Sequence, residues 1–108
     1  MVSSKEQVIV QEGQLRDYEL IIIISPQVPE ESLEPVLDNI SQFITGKGGV
    51  IEKMDRWGKK KLAYPLKHFI EGNFVLATFK MNPASSRELE KQLRLTEEVL
   101  RHMLVRLG

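Results

Sequence analysis

The sequence predicts an α+β domain in which two helices cover one face of a four-stranded antiparallel sheet. Three observations predict it. Two extended segments, one holding Leu20–Ile24 and one over 72–81, are apolar on both faces, as interior strands are. Two other stretches carry the i, i+3, i+4 apolar spacing of a helix packed on a core. The order is strand, helix, strand, strand, helix, strand, which right-handed crossovers close into such a sheet most simply. A length of 108 residues suits one domain, expected over 15–108.

Residues 1–14 mix Ser, Gln, Glu and Val without a sustained period and are expected to form a flexible N-terminal arm, with a short strand at 7–10 possible only against a partner. Arg16–Ile24 is the first strand. Tyr18, Leu20, Ile22 and Ile24 share one face; Glu19, Ile21 and Ile23 share the other. Ser25-Pro26 ends it, because proline offers no ladder donor. A helix is expected over Glu30–Thr45, with Leu33, Val36, Leu37, Ile40, Phe43 and Ile44 as its apolar stripe. Pro35 is comfortable there only if Ser32 is the N-cap; otherwise it kinks the helix. Gly46, Gly48 and Gly49 end the helix and permit a left-handed exit.

Val50–Trp57 alternates weakly and reads as a strand. Gly58 predicts a bulge or bend, after which extended structure resumes through Leu66. Lys67–Glu71 is expected as a loop, and Gly72–Met81 as the third strand. Asn82-Pro83 offers an N-cap and first turn for a helix over Ala84–Leu95, with Ser85-x-x-Glu88 as a competing capping box. That helix buries Leu89 and Leu93 and spaces Glu90 and Arg94 for an i, i+4 pair. A last strand is expected over Glu97–Leu107, with its inward face open: Val99, Arg101, Met103 and Val105, or Leu100, His102, Leu104 and Arg106. The arrangement is ferredoxin-like, with strands one and three central. Its uncovered face then carries Ile21, Ile23, Phe74 and Leu76, an apolar patch that calls for a protein partner, a second copy or a loop folded over it.

Composition narrows the function. There is no cysteine, hence no disulfide framework, thiolate metal site or cysteine nucleophile. No apolar run reaches the roughly 18 residues of a membrane span, and no secretory signal pattern opens the chain. The formal net charge is zero, which disfavours nucleic-acid binding unless charges are segregated. They are in part: Glu30, Glu31 and Glu34 crowd one stretch and Lys59, Lys60 and Lys61 another. His68 and His102 stand far apart with no spaced carboxylate pair. No P-loop, dinucleotide fingerprint or nucleophile elbow is present. An enzyme is therefore not expected, and no cofactor or metal is implied.

Trp57-Gly58-Lys59-Lys60-Lys61-Leu62-Ala63-Tyr64-Pro65 is the most informative stretch. An extended backbone turns Lys59 and Lys61 to one side and Lys60 to the other. Lysines suit phosphates, and Trp57 and Tyr64 offer flat faces for RNA stacking. Lysines also guard solvated strand edges against aggregation, and both readings stand on the residues alone. Gly72-Asn73-Phe74-Val75 partly matches the RNP1 pattern of RRM domains, with Tyr18 as the second stacking residue.

This stretch, continued to Leu66, resembles the signature of the bacterial-type small-subunit ribosomal protein six family, a glycine and basic residues before Leu-Ala-Tyr-Pro. Arg16-Asp17-Tyr18-Glu19 is similar to that family's opening Arg-Tyr-Glu, with Asp17 inserted. Val99–Arg106 resembles its final strand. The likeness runs in order over about 15–108. It implies the same ferredoxin-like fold, a structural role in the small ribosomal subunit, a cytoplasmic setting, and two partners: ribosomal protein eighteen and the central domain of small-subunit rRNA. It further implies RNA contacts at Lys59, Lys60 and Lys61, and more weakly at Arg16, Arg101 and Arg106. The sequence departs from the family in about fourteen residues before Arg16 and in ending without a charged tail. The alternative class is a ferredoxin-like dimeric binding or regulatory domain without RNA, self-associating through the same open face.

Overall fold

The computed structural model describes residues 15–107. The expected arm over 1–14, and the short strand within it, lie outside them. In chain order come β1 (Arg16–Ile24), α1 (Glu30–Gly46), β2 (Val50–Leu66), β3 (Phe69–Met81), a 3-10 turn (Pro83–Ser85), α2 (Ser86–Leu95) and β4 (Val99–Arg106). The strand order is β2-β3-β1-β4, with antiparallel neighbours throughout. β1 and β3 are central, as their two-sided apolar character requires.

The alternation along β1 decides where the core lies. Tyr18, Leu20, Ile22 and Ile24 are buried, and they pair with Phe79, Ala77, Val75 and Asn73 of β3. Leu33, Val36, Leu37, Ile40 and Ile44 of α1 and Leu89 and Leu93 of α2 close the same cluster. Tyr18 and Phe79 stack with ring centroids 5.8 Å apart. The opposite parity, carrying Ile21, Ile23, Phe74 and Leu76, faces away from the helices and is only half-buried.

Several local expectations are corrected. Pro29, not Ser32, is the N-cap of α1, and its side chain makes no capping bond. The Ser32 N–H instead donates to the Pro29 carbonyl at 2.9 Å. Pro35 therefore sits inside the helix, past the amides that need no partner, and the Glu31 carbonyl loses its i+4 donor. Asn82 caps the 3-10 turn before α2, its side chain accepting the Ala84 N–H at 2.9 Å; Ser85 holds the N-cap position of α2 but makes no side-chain capping bond. Glu90 reaches across to β4, where its Oε1 lies 3.2 Å from His102 Nε2. β4 itself is bulged: Ile24 faces Val99 but Ile23 faces Arg101. The extra residue reverses the side-chain phase. Val99 is consequently buried while Arg101, Met103 and Val105 are exposed on the helix-free face. No strict alternation could have assigned this strand.

The β2–β3 hairpin is the longest feature. Arg56 faces Val75 and Gly58 faces Phe74, so Trp57 is the unpaired residue of a bulge. Gly58 there has φ +83°, a conformation that costs an L side chain roughly 1–2 kcal/mol. Gly58→Ala is expected to lower the unfolding free energy from urea titration by that amount, although a methyl group would meet no neighbour. Gly46→Ala, at the end of α1 with no positive φ, is expected to raise stability by about 0.5–1 kcal/mol. Equal effects at the two sites would contradict the conformational account. The connection to β3 is only Lys67-His68, both at positive φ (50° and 72°). This is the two-residue hairpin geometry usually signalled by Asn-Gly, so the expected loop of five residues shrinks and β3 begins at Phe69.

Candidate RNA and protein interface

Lys59, Lys60 and Lys61 lie where the hairpin extends past the end of β1. They face Asn73, Gly72 and Glu71 in turn, so Lys60 points to the side opposite Lys59 and Lys61. All three are exposed. Other cations are neutralised by the fold. Arg56 is clamped by Glu30 and Glu34, Lys47 meets Glu88 at 3.1 Å, and Lys53 meets Asp55 at 3.2 Å. Lys80 lies 3.1 Å from Asp17 and 3.9 Å from Glu52. The hydrogen bond and charge of Asp17, followed by the charge of Glu52, raise Lys80 above its usual 10.5. A raised lysine contributes stability below its unfolded pKa and loses it only as alkali deprotonates the folded form, so Lys80 stays charged and paired at neutral pH. Among the described residues, no carboxylate pairs with Lys59, Lys60 or Lys61. With Lys67 they give the hairpin end four lysines, whereas α1 holds Glu30, Glu31, Glu34 and Asp38 and no basic residue. The zero net charge thus hides a separation of charge along the molecule.

The two aromatics have partners of their own. Trp57 is 47% exposed, and the Lys60 Nζ lies 5.7 Å from its ring centroid. Tyr64 is 55% exposed; its hydroxyl accepts a hydrogen bond from Arg101, whose guanidinium carbon is 6.0 Å from the ring centroid. Tyr18 is buried among the helices, so the RRM-type use of Tyr18 and Phe74 as paired stacking residues is excluded.

Between Lys61 and Leu66 the hairpin register breaks. Leu62, Ala63 and Tyr64 thereby join Ile21, Ile23, Phe74 and Met103 around a hollow of about 300 Å³ on the helix-free face. Arg101 stands on its wall. Three of the four residues expected to make a partner face line this hollow; Leu76, paired with Ile21, continues the same face beyond it. Leu62, Leu66 and Met103 were not foreseen, because only the register break and the β4 bulge bring them there.

The remaining cations divide. Arg101 faces Ile23, near the lysine end. Arg16 faces Met81, and Arg106 faces Tyr18, both at the other end of β1. From Arg16 to Ile24 the strand advances roughly 26 Å, so Arg16 and Arg106 do not share a site with the lysines. No group of three or more potential metal-ligating side chains gathers among the described residues. No helix among them is long and apolar enough to cross a membrane.

The class defined by the fold is a ferredoxin-like domain, with one apolar sheet face left uncovered by the helices and a lysine-bearing hairpin at its end. Residues 17–106 match the family described as Ribosomal protein S6. The small ribosomal subunit protein bS6 of Desulforamulus reducens is 37% identical over 94 residues, covering 87% of this chain and 99% of that one. Its counterpart from Clostridium novyi is 41% identical over 91 residues, covering 84% and 96%. The crystal structure of 30S ribosomal protein S6 from Thermotoga maritima superposes with a TM-score of 0.82 at 35% identity, over 87% of this chain and 89% of that one. The chain belongs to the ribosomal protein S6 family, a structural, non-enzymatic class of small-ribosomal-subunit proteins. The C-terminal domain of MgtC from Mycobacterium tuberculosis, with a TM-score of 0.61 at 16% identity, shares the fold alone. The resemblance carried by the Trp57–Leu66 stretch is thus confirmed, together with the ferredoxin-like sheet it implied.

Proposed function

We propose that this protein binds the central domain of small-subunit rRNA together with ribosomal protein eighteen, using the hairpin end for RNA and the helix-free face for protein. Lys59, Lys60 and Lys61 contact phosphates as point charges, which position the protein without reading sequence. Arg16 and Arg106 would serve a separate backbone contact. The half-buried Ile21, Ile23, Phe74 and Leu76 are covered by the protein neighbour. The observation that carries this reading is three adjacent uncompensated lysines bordering an open apolar face in a member of this family.

Equilibrium binding to a central-domain rRNA fragment, with and without ribosomal protein eighteen, tests it. Tight binding that requires both proteins is expected. Failure of the pair to bind, with the partner's own competence established, would defeat the proposal. A stable homodimer of the free chain at micromolar concentration would instead favour the self-associating alternative.

A further inference from the structure

We infer that the hollow on the helix-free face is a socket for one large apolar side chain of the neighbouring protein, flanked in that protein by a carboxylate that Arg101 receives. This rests on the proposed partnership and deepens it. The walls supply the first half of the specification. Ile21, Ile23, Leu62, Leu66, Phe74 and Met103 surround about 300 Å³, room for a single bulky side chain or two small ones. Met103 is 50% exposed at this site, so apolar surface remains for a partner to cover.

The second half is charge. Arg101 is the one permanently charged side chain on the wall, and among the described residues no carboxylate pairs with it. Tyr64 holds it in place by accepting one of its hydrogen bonds, and the other donors of the guanidinium fork remain available. A carboxylate meets that fork with two parallel bonds.

A nucleobase is the competing occupant, with its phosphate on Arg101. The walls disfavour it. A base buried here would find polar side chains only in Tyr64, Arg101 and His102, and His102 Nε2 already lies 3.2 Å from Glu90 Oε1; each polar atom left without a partner costs about 1–3 kcal/mol. An aliphatic or aromatic side chain carries no such cost and gains from the area it buries.

The test uses the full chain and purified ribosomal protein eighteen, without RNA. Met103→Glu places a carboxylate in the socket at a position exposed enough to fold normally, and Arg101→Glu reverses the recognising charge. Each is expected to weaken the protein–protein complex at least tenfold, with unchanged melting temperature. Reversal of Lys59, Lys60 and Lys61 should change that affinity less than threefold. The chain has no cysteine, so Met103→Cys carrying a photoreactive benzophenone can report the occupant directly. The cross-linked partner peptide should contain a large apolar residue within two positions of Asp or Glu.

Wild-type affinity in both Glu variants overturns the inference while leaving the partnership intact. So does a cross-linked peptide without an acid. Loss of RNA binding by Met103→Glu with protein affinity preserved would assign the hollow to a base. A homodimer dissolved by Met103→Glu would assign it to a second copy. No complex with wild-type protein would overturn the inference and the partnership together.

Discussion

Replacing Lys59, Lys60 and Lys61 together by Glu is expected to weaken rRNA binding and flatten its salt dependence while leaving the fold intact. The three side chains are exposed and no carboxylate among the described residues pairs with them, so reversal breaks no ion pair and costs only the exposed Lys60–Trp57 contact. Each phosphate contact releases counterions and contributes about 0.7–0.9 to the slope of log K against log salt. Losing three should therefore flatten the slope by about 2–3, beyond any loss of affinity at a single salt concentration. Measuring the complex of rRNA fragment, ribosomal protein eighteen and variant chain over a salt series reads this directly. An unchanged slope would mean that the hairpin end is a solvated edge and that phosphate is met elsewhere. Reversal of Arg56 would be a poor substitute, because it also breaks the clamp with Glu30 and Glu34.

The largest stability effect is expected at Phe79. It is completely buried, stacks on Tyr18, and lies on the central strand between Tyr18 of β1 and Ile51 of β2. Phe79→Ala removes a ring from a site walled by two strands, where the sheet register resists collapse of the cavity. The expected cost is about 3–5 kcal/mol, a large part of the roughly 5–15 kcal/mol that holds a domain folded. The melting temperature should fall by more than about 10 °C. Phe74→Ala, on the half-buried face, should cost clearly less in the isolated protein. Equal costs would mean that the helix-free face is as much core as the other.

How far these residues could be read before the fold was known follows from what each depended on. β1 was legible to the residue because its five consecutive apolar side chains and Ser25-Pro26 are local signals. The helices were legible through their stripes, and Asn82 through its capping chemistry. Other features rest on tertiary choices. Lys67-His68 adopts a left-handed turn with no glycine or asparagine to announce it. The β4 bulge reverses a phase that alternation presumes constant. Pro35 is tolerated inside α1 at a position where both it and Glu31 are exposed.

The candidate site divides in the same way. Lys59, Lys60 and Lys61 were legible because they are contiguous. Their lack of acidic partners was not, since it depends on the fold giving Glu30 and Glu34 to Arg56. Ile21, Ile23, Phe74 and Leu76 were legible as the second face of two-sided strands. The hollow was not: its walls come from a register break and a bulge, and neither leaves a periodic trace.

The division of labour between hairpin and helices can be measured in the assembled particle. The chain lacks cysteine, so single cysteines at Lys60 and at Asp38 can each carry a tethered iron chelate into a reconstituted small subunit. Lys60→Cys leaves Lys59 and Lys61 in place, and Asp38 is exposed on the acidic helix α1. Hydroxyl radicals from position 60 are predicted to cleave the central-domain rRNA backbone strongly, and those from position 38 far more weakly. Strong cleavage from position 38 with none from position 60 would contradict the account, because it would put RNA against the acidic helix and leave the lysine hairpin in solvent.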